Sequence, residues 1–245
     1  MGGIGLELSE VTISVNDLDL DYIEFKRSRF NLFGSPHRIK ALKNISFSTS
    51  RGDIVAIIGK NGAGKSTLLS TLAGRLRPAG GSVIINGRVV LMSSADPGFF
   101  PDMTGRANVS DLAMAYGIDH DKIEDFTASI TEFCELGEAL DRNFRGYSSG
   151  MRGKLGFGFM TSLEPDILLI DETLGVGDEE FRSKAKQQLR KFVDESGTVL
   201  ISTHSLGLAR KMCSRGIVLE DGKIICDGGI EEALLAYRAI LKQEV

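Results

Sequence analysis

The pattern of apolar and polar positions predicts strands that alternate with helices along most of the chain. Four short apolar runs are typical of strands buried on both faces of a parallel sheet: 53–58, 167–171, 198–202 and 216–219. The stretches between them are helical in character, which favours an α/β fold with a mostly parallel sheet. The stretches 6–15 and 41–49 alternate instead, which predicts an antiparallel N-terminal β-subdomain.

Two connections in the first hundred residues carry turn signals. The stretch 16–40 is polar and basic, and it is predicted as a solvated loop. Its place beside the strand at 53–58 leaves a second interpretation open, a surface that faces anionic lipid headgroups or a protein partner. Asn86-Gly87 predicts a hairpin that joins strands at 82–86 and 88–92.

The pattern of apolar and polar residues changes after residue 93. From 106 to 144 the pattern is mainly helical, which predicts a helical subdomain inserted into the α/β core. We therefore expect one domain over 1–245, with about 1–93 and 161–245 as the core and about 94–160 as the helical subdomain. The chain ends in a predicted amphipathic helix at 231–242.

Composition narrows the function classes. The chain has 245 residues, is 42% hydrophobic and has a net charge of −4, so no overall field favours nucleic acid. Three cysteines without metal-ligand spacing suit a reducing compartment and buried free thiols: Cys134, Cys213 and Cys226. The first ten residues do not resemble a signal peptide, and the apolar runs are too short to cross a bilayer.

The strongest chemical signal is the stretch 59–67, which matches the phosphate-binding pattern G-x-x-x-x-G-K-[ST] between a strand and a short helix. Its glycines let the backbone curl and point N–H groups inward, and the helix N-terminus favours an anion. Lys65 would reach the β- and γ-phosphates, and Ser66 would bind Mg²⁺. The residues expected at the nucleotide are Gly59, Asn61, Gly62, Gly64, Lys65, Ser66 and Thr67.

A second signal is the apolar run at 167–170, which ends in Asp171 and Glu172. The carboxyl end of a parallel strand is where such a sheet presents its ligands. We expect Asp171 to hold Mg²⁺ with Ser66, and Glu172 to act as the general base that activates water. The alternative for an isolated acidic pair is a solvated turn.

Two further stretches are weaker by themselves. His204 follows the strand at 198–202, where it could contact the γ-phosphate; a lone histidine is otherwise more often a surface or core residue. The letters YSSGM at 147–151 precede a helical run, which gives another helix N-terminus suited to an anion.

In this order and at these intervals the phosphate loop, YSSGM, ILLIDE at 167–172 and STHS at 202–205 resemble the ATP-binding subunit of ABC transporters, over essentially the whole chain. The resemblance implies ATP hydrolysis with ATP and Mg²⁺. It also implies a head-to-tail dimer with a second copy, in which Ser148 and Gly150 of one chain close on the ATP held by Lys65 of the other. Asp178 would bridge the two copies.

Further stretches resemble a subfamily, the bacterial exporters of O-antigen, capsule and teichoic acid: GFFPDMTGRAN at 98–108, YSSGM, and DETLGVGDEEF at 171–181. This resemblance implies two integral-membrane partner subunits, a lipid-linked polysaccharide handled by the complex, and a peripheral place on the cytoplasmic face of the inner membrane. Some members carry a C-terminal carbohydrate-binding domain, for which we expect no room here.

The sequence departs from the family pattern at two places. A glutamine that touches Mg²⁺ and the attacking water is absent; Ser94 stands near its place, beside Ala95 and Asp96. Val15 stands where the family stacks an aromatic ring on adenine. We expect an aromatic residue of the stretch 16–40 to replace it, Tyr22 before Phe25 or Phe33.

Phe99 and Phe100 have two interpretations, a groove for the membrane partner or ordinary core packing. An importer or an exporter of drugs or lipids stays open as the alternative function. A soluble ATPase of DNA repair or translation would need a long coiled-coil insertion or a second phosphate loop, and the sequence has neither.

Overall fold

The computed structural model describes residues 11–28, 31–93, 97–171, 178–195 and 197–242. The strands are β1 (Val11–Ser28), β2 (Asn31–Ser50), β3 (Ile54–Ile58), β4 (Gly80–Ile85), β5 (Val89–Met92), β6 (Ile167–Asp171), β7 (Thr198–Ser202), β8 (Arg215–Glu220) and β9 (Lys223–Gly229). The α-helices are α1 (Lys65–Leu72), α2 (Gly105–Ala115), α3 (Ile123–Cys134), α4 (Ser149–Ser162), α5 (Glu179–Asp194), α6 (Leu206–Met212) and α7 (Ile230–Lys242). Short 3₁₀ turns occur at His120–Lys122, Gly137–Asp141 and Phe144–Gly146.

Within these ranges the strands form two sheets. The larger has the order β5-β6-β7-β3-β8-β9 and is parallel except for the β8–β9 pair. The smaller has the order β2-β1-β4 and is antiparallel. This confirms the predicted α/β core with a mostly parallel sheet and an antiparallel N-terminal β-subdomain.

The predicted loop at 16–40 is wrong. β1 and β2 pair through this stretch, with Tyr22 opposite Ile39 and Asp21 opposite Lys40. Backbone pairing satisfies the polar main chain here, so a polar and basic stretch can form strands rather than a loop. Irregular register between Val15 and Asp21 lets the strands bend.

The predicted hairpin at Asn86-Gly87 is also wrong, because the strands beside it belong to different sheets. β4 pairs with β1, whereas β5 pairs with β6. Gly87 has a φ of 134°, and the side-chain amide of Asn86 donates to the carbonyl of Val11 at 2.8 Å. The positive φ that suits a hairpin turn serves a crossover between sheets here.

The larger sheet is buried on both faces, which explains its apolar strands. On β3, Ala56 and Ile58 contribute to one hydrophobic cluster, and Val55 and Ile57 contribute to the other. The first cluster includes residues of α2 to α7, and the second includes α1 and the smaller sheet. Alternate side chains of one strand thus join the core to both flanking layers.

The predicted helical stretch at 106–144 contains α2 and α3, and α4 follows it. Phe99 is buried there and meets the rings of Phe144 and Phe159 edge to face, with centroids 5.1 and 5.9 Å apart. Phe100 is 63% exposed. Core packing therefore holds for Phe99, and only Phe100 is available to a partner.

None of the helices in the described ranges has the length and apolar character needed to cross a membrane. Cys134 and Cys213 are buried free thiols, and Cys226 is half-buried. Burial raises the pKa of both buried thiols to about 12. They are therefore uncharged at neutral pH, as the composition suggested.

Candidate nucleotide-binding site

The register of the larger sheet brings the phosphate loop, Asp171 and the turn that carries His204 to one edge. Ser202 of β7 stands opposite Asp171 of β6 on one side and Ile57 of β3 on the other. The phosphate loop follows β3, and Ser93 follows β5, the neighbour of β6. Because these strands are parallel, their carboxyl ends and the side chains after them share one edge.

The phosphate loop has the backbone its glycines predict. Gly62 and Gly64 have φ values of 82° and 105°, which favour glycine over other residues. Gly59 packs so closely on the carbonyl oxygen of Leu219 that an added Cβ would lie 2.5 Å from it. Gly64 immediately precedes α1, so the loop delivers its N–H groups to the helix N-terminus, where anions bind.

Lys65 is buried, with 5% of its surface exposed. Its ammonium donates to the carbonyl oxygens of Gly59 and Lys60, both at 2.9 Å. The lysine is therefore held against the loop that it would serve, where a phosphate oxygen would meet its positive charge.

Asp171, which the sequence predicts as a cation ligand, ends β6. Its Oδ1 is buried and has no hydrogen-bond partner within the described residues. Asp171 and Ser66 line the same cavity. A carboxylate and a hydroxyl oxygen suit a hard cation such as Mg²⁺, and a buried carboxylate oxygen without a partner is costly unless a ligand reaches it.

The cavity itself measures about 800 Å³. Six parts of the chain line it: β1, β2, the phosphate loop with the start of α1, the residue after β5, the end of β6, and the β8–β9 turn. Tyr22 is 41% exposed here, and its hydroxyl lies 3.2 Å from the Thr67 Oγ1. The structure thus brings Tyr22 to the cavity that Asn61, Lys65 and Ser66 line.

Sequence reasoning missed several lining residues: Ile39, Lys40, Lys43, Ser93, Asp221 and Gly222. Ser93 accepts a hydrogen bond from the guanidinium of Arg75 at 3.3 Å. Gly222 has a φ of 76°, and its amide donates to the carbonyl of Ala63 at 3.1 Å. Asp221-Gly222 is a hairpin-turn signal that could have located the β8–β9 turn, and both residues have a positive φ. Tertiary pairing alone brings this turn and the other positions to the phosphate loop.

His204 is exposed in the turn between β7 and α6. Among the described residues it lies outside the lining of the 800 Å³ cavity. Its neighbour Ser205 caps α6 by accepting the Leu208 amide at 3.2 Å. The residue therefore stands at the predicted edge of the sheet, and its contact with a γ-phosphate stays a prediction.

Ser148 is the N-cap of α4, so a helix begins where the letters YSSGM predict one. Its Oγ accepts the Met151 amide at 3.2 Å, and its side chain is exposed. An added Cβ on Gly150 would meet only Ser148 Oγ, at 3.9 Å, so the helix start is open to an approaching group. Neither residue lines the cavity around Lys65.

The residues before Ser148 are firmly held. Tyr147 is buried, its hydroxyl donates to the Ala139 carbonyl at 2.7 Å, and burial raises its pKa. Arg152 donates to the carbonyls of Tyr147 and Arg145 at 3.2 and 2.9 Å. The exposed serine is thus presented by a rigid support.

Asp178 caps α5. Its Oδ1 accepts the Phe181 amide at 2.8 Å, and its Oδ2 accepts a bond from Lys154 at 2.7 Å. These bonds, first the one from Lys154, lower the pKa of Asp178. Glu172, the segment 174–177 and the trio Ser94, Ala95 and Asp96 lie outside the described residues.

A buried lysine in a glycine loop between a strand and a helix, opposite an acidic strand end, defines the class of P-loop nucleoside triphosphatases. The family model described as ABC transporter matches residues 42–175, which is more than half of the chain. The chain belongs to the ABC transporter family, and it is an ATP-binding domain that hydrolyses ATP.

Two export proteins are similar in sequence to this chain over most of its length. The O-antigen export system ATP-binding protein RfbB of Klebsiella pneumoniae is 40% identical over 198 residues, which cover 81% of this chain and 80% of that protein. The teichoic acids export ATP-binding protein TagH of Lactococcus lactis is 38% identical, covering 82% of this chain and 43% of that protein.

Solved structures share the fold. The dimeric post-hydrolysis structure of the ATP-binding cassette MJ0796, bound to ADP and Pi, has a TM-score of 0.75 at 21% identity, covering 89% of this chain and 98% of that chain. An ATP-binding subunit of an ABC transporter has a TM-score of 0.75 at 24% identity, with coverage of 90% and 91%.

Proposed function

We propose that this chain is the ATPase subunit of a bacterial transporter that exports a lipid-linked polysaccharide, such as O-antigen, across the inner membrane. The observation that carries the proposal is the 40% identity to an O-antigen export protein over four-fifths of both chains. The similarity to a teichoic acid export protein points to the same substrate class. The chain would act peripherally at the cytoplasmic face, bound to two membrane-embedded subunits.

The cavity residues supply the parts that phosphoryl transfer needs. Lys65 and the loop N–H groups would hold the β- and γ-phosphates, and Ser66 and Asp171 would hold Mg²⁺. An ion held by Ser66 and Asp171 would supply positive charge against the negative charge that develops on the phosphates. Glu172 follows Asp171 directly in the chain. We assign it the role of the general base that accepts the proton of the attacking water.

Tyr22 and Ile39 form the proposed nucleoside side of the cavity. They stand opposite each other on β1 and β2, and both are partly exposed into it. An aromatic ring there can stack on adenine, and the neighbouring aliphatic side chain widens the apolar surface.

A single copy leaves the site incomplete. Ser148 and Gly150 lie at an exposed helix N-terminus that does not line the cavity of their own chain. A helix N-terminus attracts anions, so a second copy that turns its α4 toward the cavity would add contacts to the γ-phosphate. Hydrolysis removes that bridge, which reopens the dimer.

The partner surface includes Phe100. Asn108 is buried, accepts the Phe100 amide at 2.6 Å and donates to its carbonyl at 2.9 Å. The loop is therefore rigid, while the Phe100 ring is 63% exposed. A firmly held, exposed aromatic ring suits contact with a membrane subunit.

The substrate is tested by purifying the full chain with its membrane partner in nanodiscs and measuring ATP hydrolysis. We expect a lipid-linked polysaccharide to change the rate, and small solutes or drugs to leave it unchanged. A response only to small solutes would favour the alternative, an importer or another class of exporter.

The base is tested with Glu172→Gln, which should abolish hydrolysis while ATP still binds and keeps the dimer closed. Size-exclusion chromatography with ATP measures the dimer, and phosphate release measures hydrolysis. Glu179→Gln is the matched control, since Glu179 is an exposed carboxylate at the start of α5. Unchanged hydrolysis in Glu172→Gln would remove the assignment.

A further inference from the structure

A second cavity lies at the opposite end of the larger sheet from the nucleotide site. It measures about 580 Å³, and no described residue lines both cavities. Asp166 lines it just before β6 begins, whereas Asp171 ends β6 at the nucleotide cavity. Five positions along a strand span roughly 16 Å, so the two cavities are separate. The volume falls within the roughly 300–1,000 Å³ that small-molecule sites occupy.

Aromatic rings form one wall of this second cavity. Phe126 and Phe133 reach it from α3, and Phe192 reaches it from α5; all three are half-buried. Gly197, which precedes β7, has no room for a Cβ beside the Phe192 ring, and its amide donates to the Phe192 carbonyl at 3.0 Å. A phenylalanine has no polar tip to meet water, so three partly open rings favour a ligand with a ring of its own.

Two of the three carboxylates that line the cavity within the described ranges already have partners. Asp166 Oδ2 accepts the Arg88 amide at 2.7 Å. Glu195 lies 3.9 Å from the ammonium of Lys191, one turn earlier on the same helix. Both side chains of this pair are largely exposed, so the pair is weak and Lys191 can also serve a ligand.

Arg51 and Glu164 are the charged side chains that stay available. Arg51 lines the cavity from the turn between β2 and β3, and Glu164 lines it from the connection between α4 and β6. Both are exposed, and among the residues that the structure describes neither side chain has a hydrogen bond or an ion pair. β7 lies between β3 and β6, and neighbouring strands are about 4.8 Å apart, so the starts of β3 and β6 are roughly 10 Å from each other. The cavity thus offers a cation at one side and a hydrogen-bond acceptor at the other.

We propose that this cavity binds a small aromatic anion. The ring of the ligand would lie against Phe126, Phe133 and Phe192, and its anionic group would pair with Arg51. A hydrogen-bond donor on the ligand would meet Glu164. The site is independent of the proposed function, since none of its residues belongs to the nucleotide cavity.

The test titrates the full chain with anilinonaphthalene sulfonate, a fluorescent aromatic anion that also carries an N–H donor. Saturating ADP with Mg²⁺ occupies the nucleotide cavity first, so that the probe reports a different site. The uncharged anilinonaphthalene, which has the same rings without the sulfonate, is titrated in parallel. We expect the sulfonate probe to bind with ADP present, at one equivalent per chain.

Arg51→Gln tests the anion contact. It should weaken binding of the sulfonate probe about three- to fivefold, a value that allows for the exposure of the guanidinium, and leave binding of the uncharged probe unchanged. Arg190→Gln is the matched control, because Arg190 is exposed on α5 next to Lys191 but lies outside the cavity lining. It removes the same charge and should leave the affinity of both probes at the wild-type value.

Ser129→Trp tests the cavity itself. Ser129 is exposed on α3 and lines the cavity, so a bulky ring there should block it and weaken both probes about tenfold or more. Ala128→Trp is the control, since Ala128 is the preceding exposed position and lies outside the lining. Circular dichroism should show wild-type helix content in both variants.

Four outcomes would overturn the inference: no binding of the sulfonate probe, its complete displacement by ADP, equal effects of Arg51→Gln and Arg190→Gln, or equal effects of Ser129→Trp and Ala128→Trp. Each of them would leave ATP hydrolysis and the proposed function untouched. Conversely, normal hydrolysis in Glu172→Gln would remove the assignment of the base and would not change probe binding.

Discussion

The hydroxyl of Tyr22 lies 3.2 Å from the hydroxyl of Thr67, so β1 touches the first turn of α1 directly. This contact joins the antiparallel subdomain to the phosphate loop at the mouth of the cavity. The hydrogen bond to Thr67 therefore holds the Tyr22 ring beside the residues that would bind the phosphates.

Two substitutions of Tyr22 distinguish the contribution of the ring to ATP affinity from that of the hydroxyl. Tyr22→Ala removes a stacking surface worth about 1–3 kcal/mol for a base, so ATP affinity should fall roughly 5- to 150-fold. Tyr22→Phe keeps the ring and should bind within about threefold of the wild type, since an exposed hydrogen bond contributes little. Titration with a fluorescent ATP analogue measures both.

Ile84→Ala is the control for loss of apolar surface in the same subdomain, because Ile84 is 53% exposed on β4 and lies outside the cavity. Wild-type affinity in Tyr22→Ala would exclude the stacking role.

Asp171→Asn tests the cation site without relying on turnover. The Asp171 Oδ1 is buried and has no hydrogen-bond partner in the part of the chain that the structure describes, which predicts that the carboxylate is a ligand. We expect the gain in ATP affinity on adding Mg²⁺ to shrink about tenfold or more, while affinity without Mg²⁺ changes little. Calorimetric titration with and without Mg²⁺ measures the difference.

Ser202→Ala serves as the neighbouring control, since Ser202 stands opposite Asp171 and its buried hydroxyl also has no partner within the described residues. Removing that hydroxyl should leave the Mg²⁺ effect intact. A Mg²⁺ effect of wild-type size in Asp171→Asn would mean that other oxygens hold the ion.

Gly222 supports the phosphate loop from the β8–β9 turn. It has a φ of 76°, and an added Cβ would lie 2.4 Å from the Ala41 carbonyl oxygen. Gly222→Ala should therefore move the turn away from Ala63 and lower both stability, by about 1–3 kcal/mol, and ATP affinity. Urea unfolding and ATP titration measure the two effects.

Gly207→Ala is the matched change in α6, where an added Cβ has open space and φ is not positive. It should leave ATP affinity unchanged and raise stability by up to about 1 kcal/mol. ATP affinity of wild-type strength in Gly222→Ala would show that the turn does not support the loop.

The strands that the sequence predicted best are those buried on both faces. β6 and β7 have the predicted bounds. A short apolar run with polar residues at both ends is typical of a parallel strand that is buried on both faces, so the run itself marks where the strand begins and ends. β9 escaped prediction, since it is an edge strand whose residues alternate between exposed and half-buried and include Lys223 and two glycines. The stretch 16–40 failed for a similar reason, as charge patterns do not report backbone pairing.

The residues of the candidate site also fall into two groups: those that a local sequence pattern predicts and those that only the tertiary fold brings to the cavity. The phosphate loop is local, so its pattern predicted Lys65 and Ser66, and the end of the apolar run at 167–170 predicted Asp171. The three residues line one cavity. Lys43, Ser93 and Gly222 come from three other strands or turns, and only the sheet order brings them there. The Lys154–Asp178 contact was equally hidden, because 24 positions separate the two residues.

Arg88 connects α4 and α2 to the larger sheet through their C-terminal ends. Its guanidinium donates to the Leu163 carbonyl at 3.2 Å and to the Tyr116 carbonyl at 3.1 Å, and these residues cap α4 and α2. A cation at a helix C-terminus satisfies carbonyls that have no partner in the helix and opposes the negative end of its dipole. One side chain thus serves two helices.

Arg88→Ala should lower the free energy of unfolding by about 1–2 kcal/mol, a value reduced by the exposure of the side chain, and Arg88→Lys should recover part of it. Arg106→Ala is the control: Arg106 pairs with Asp141 at 2.7 Å on the surface, so its loss should change stability by less than about 1 kcal/mol. Urea unfolding compares the three. If Arg88→Ala were no more destabilising than Arg106→Ala, the helix ends would be held by packing alone, and the charge on Arg88 would be incidental.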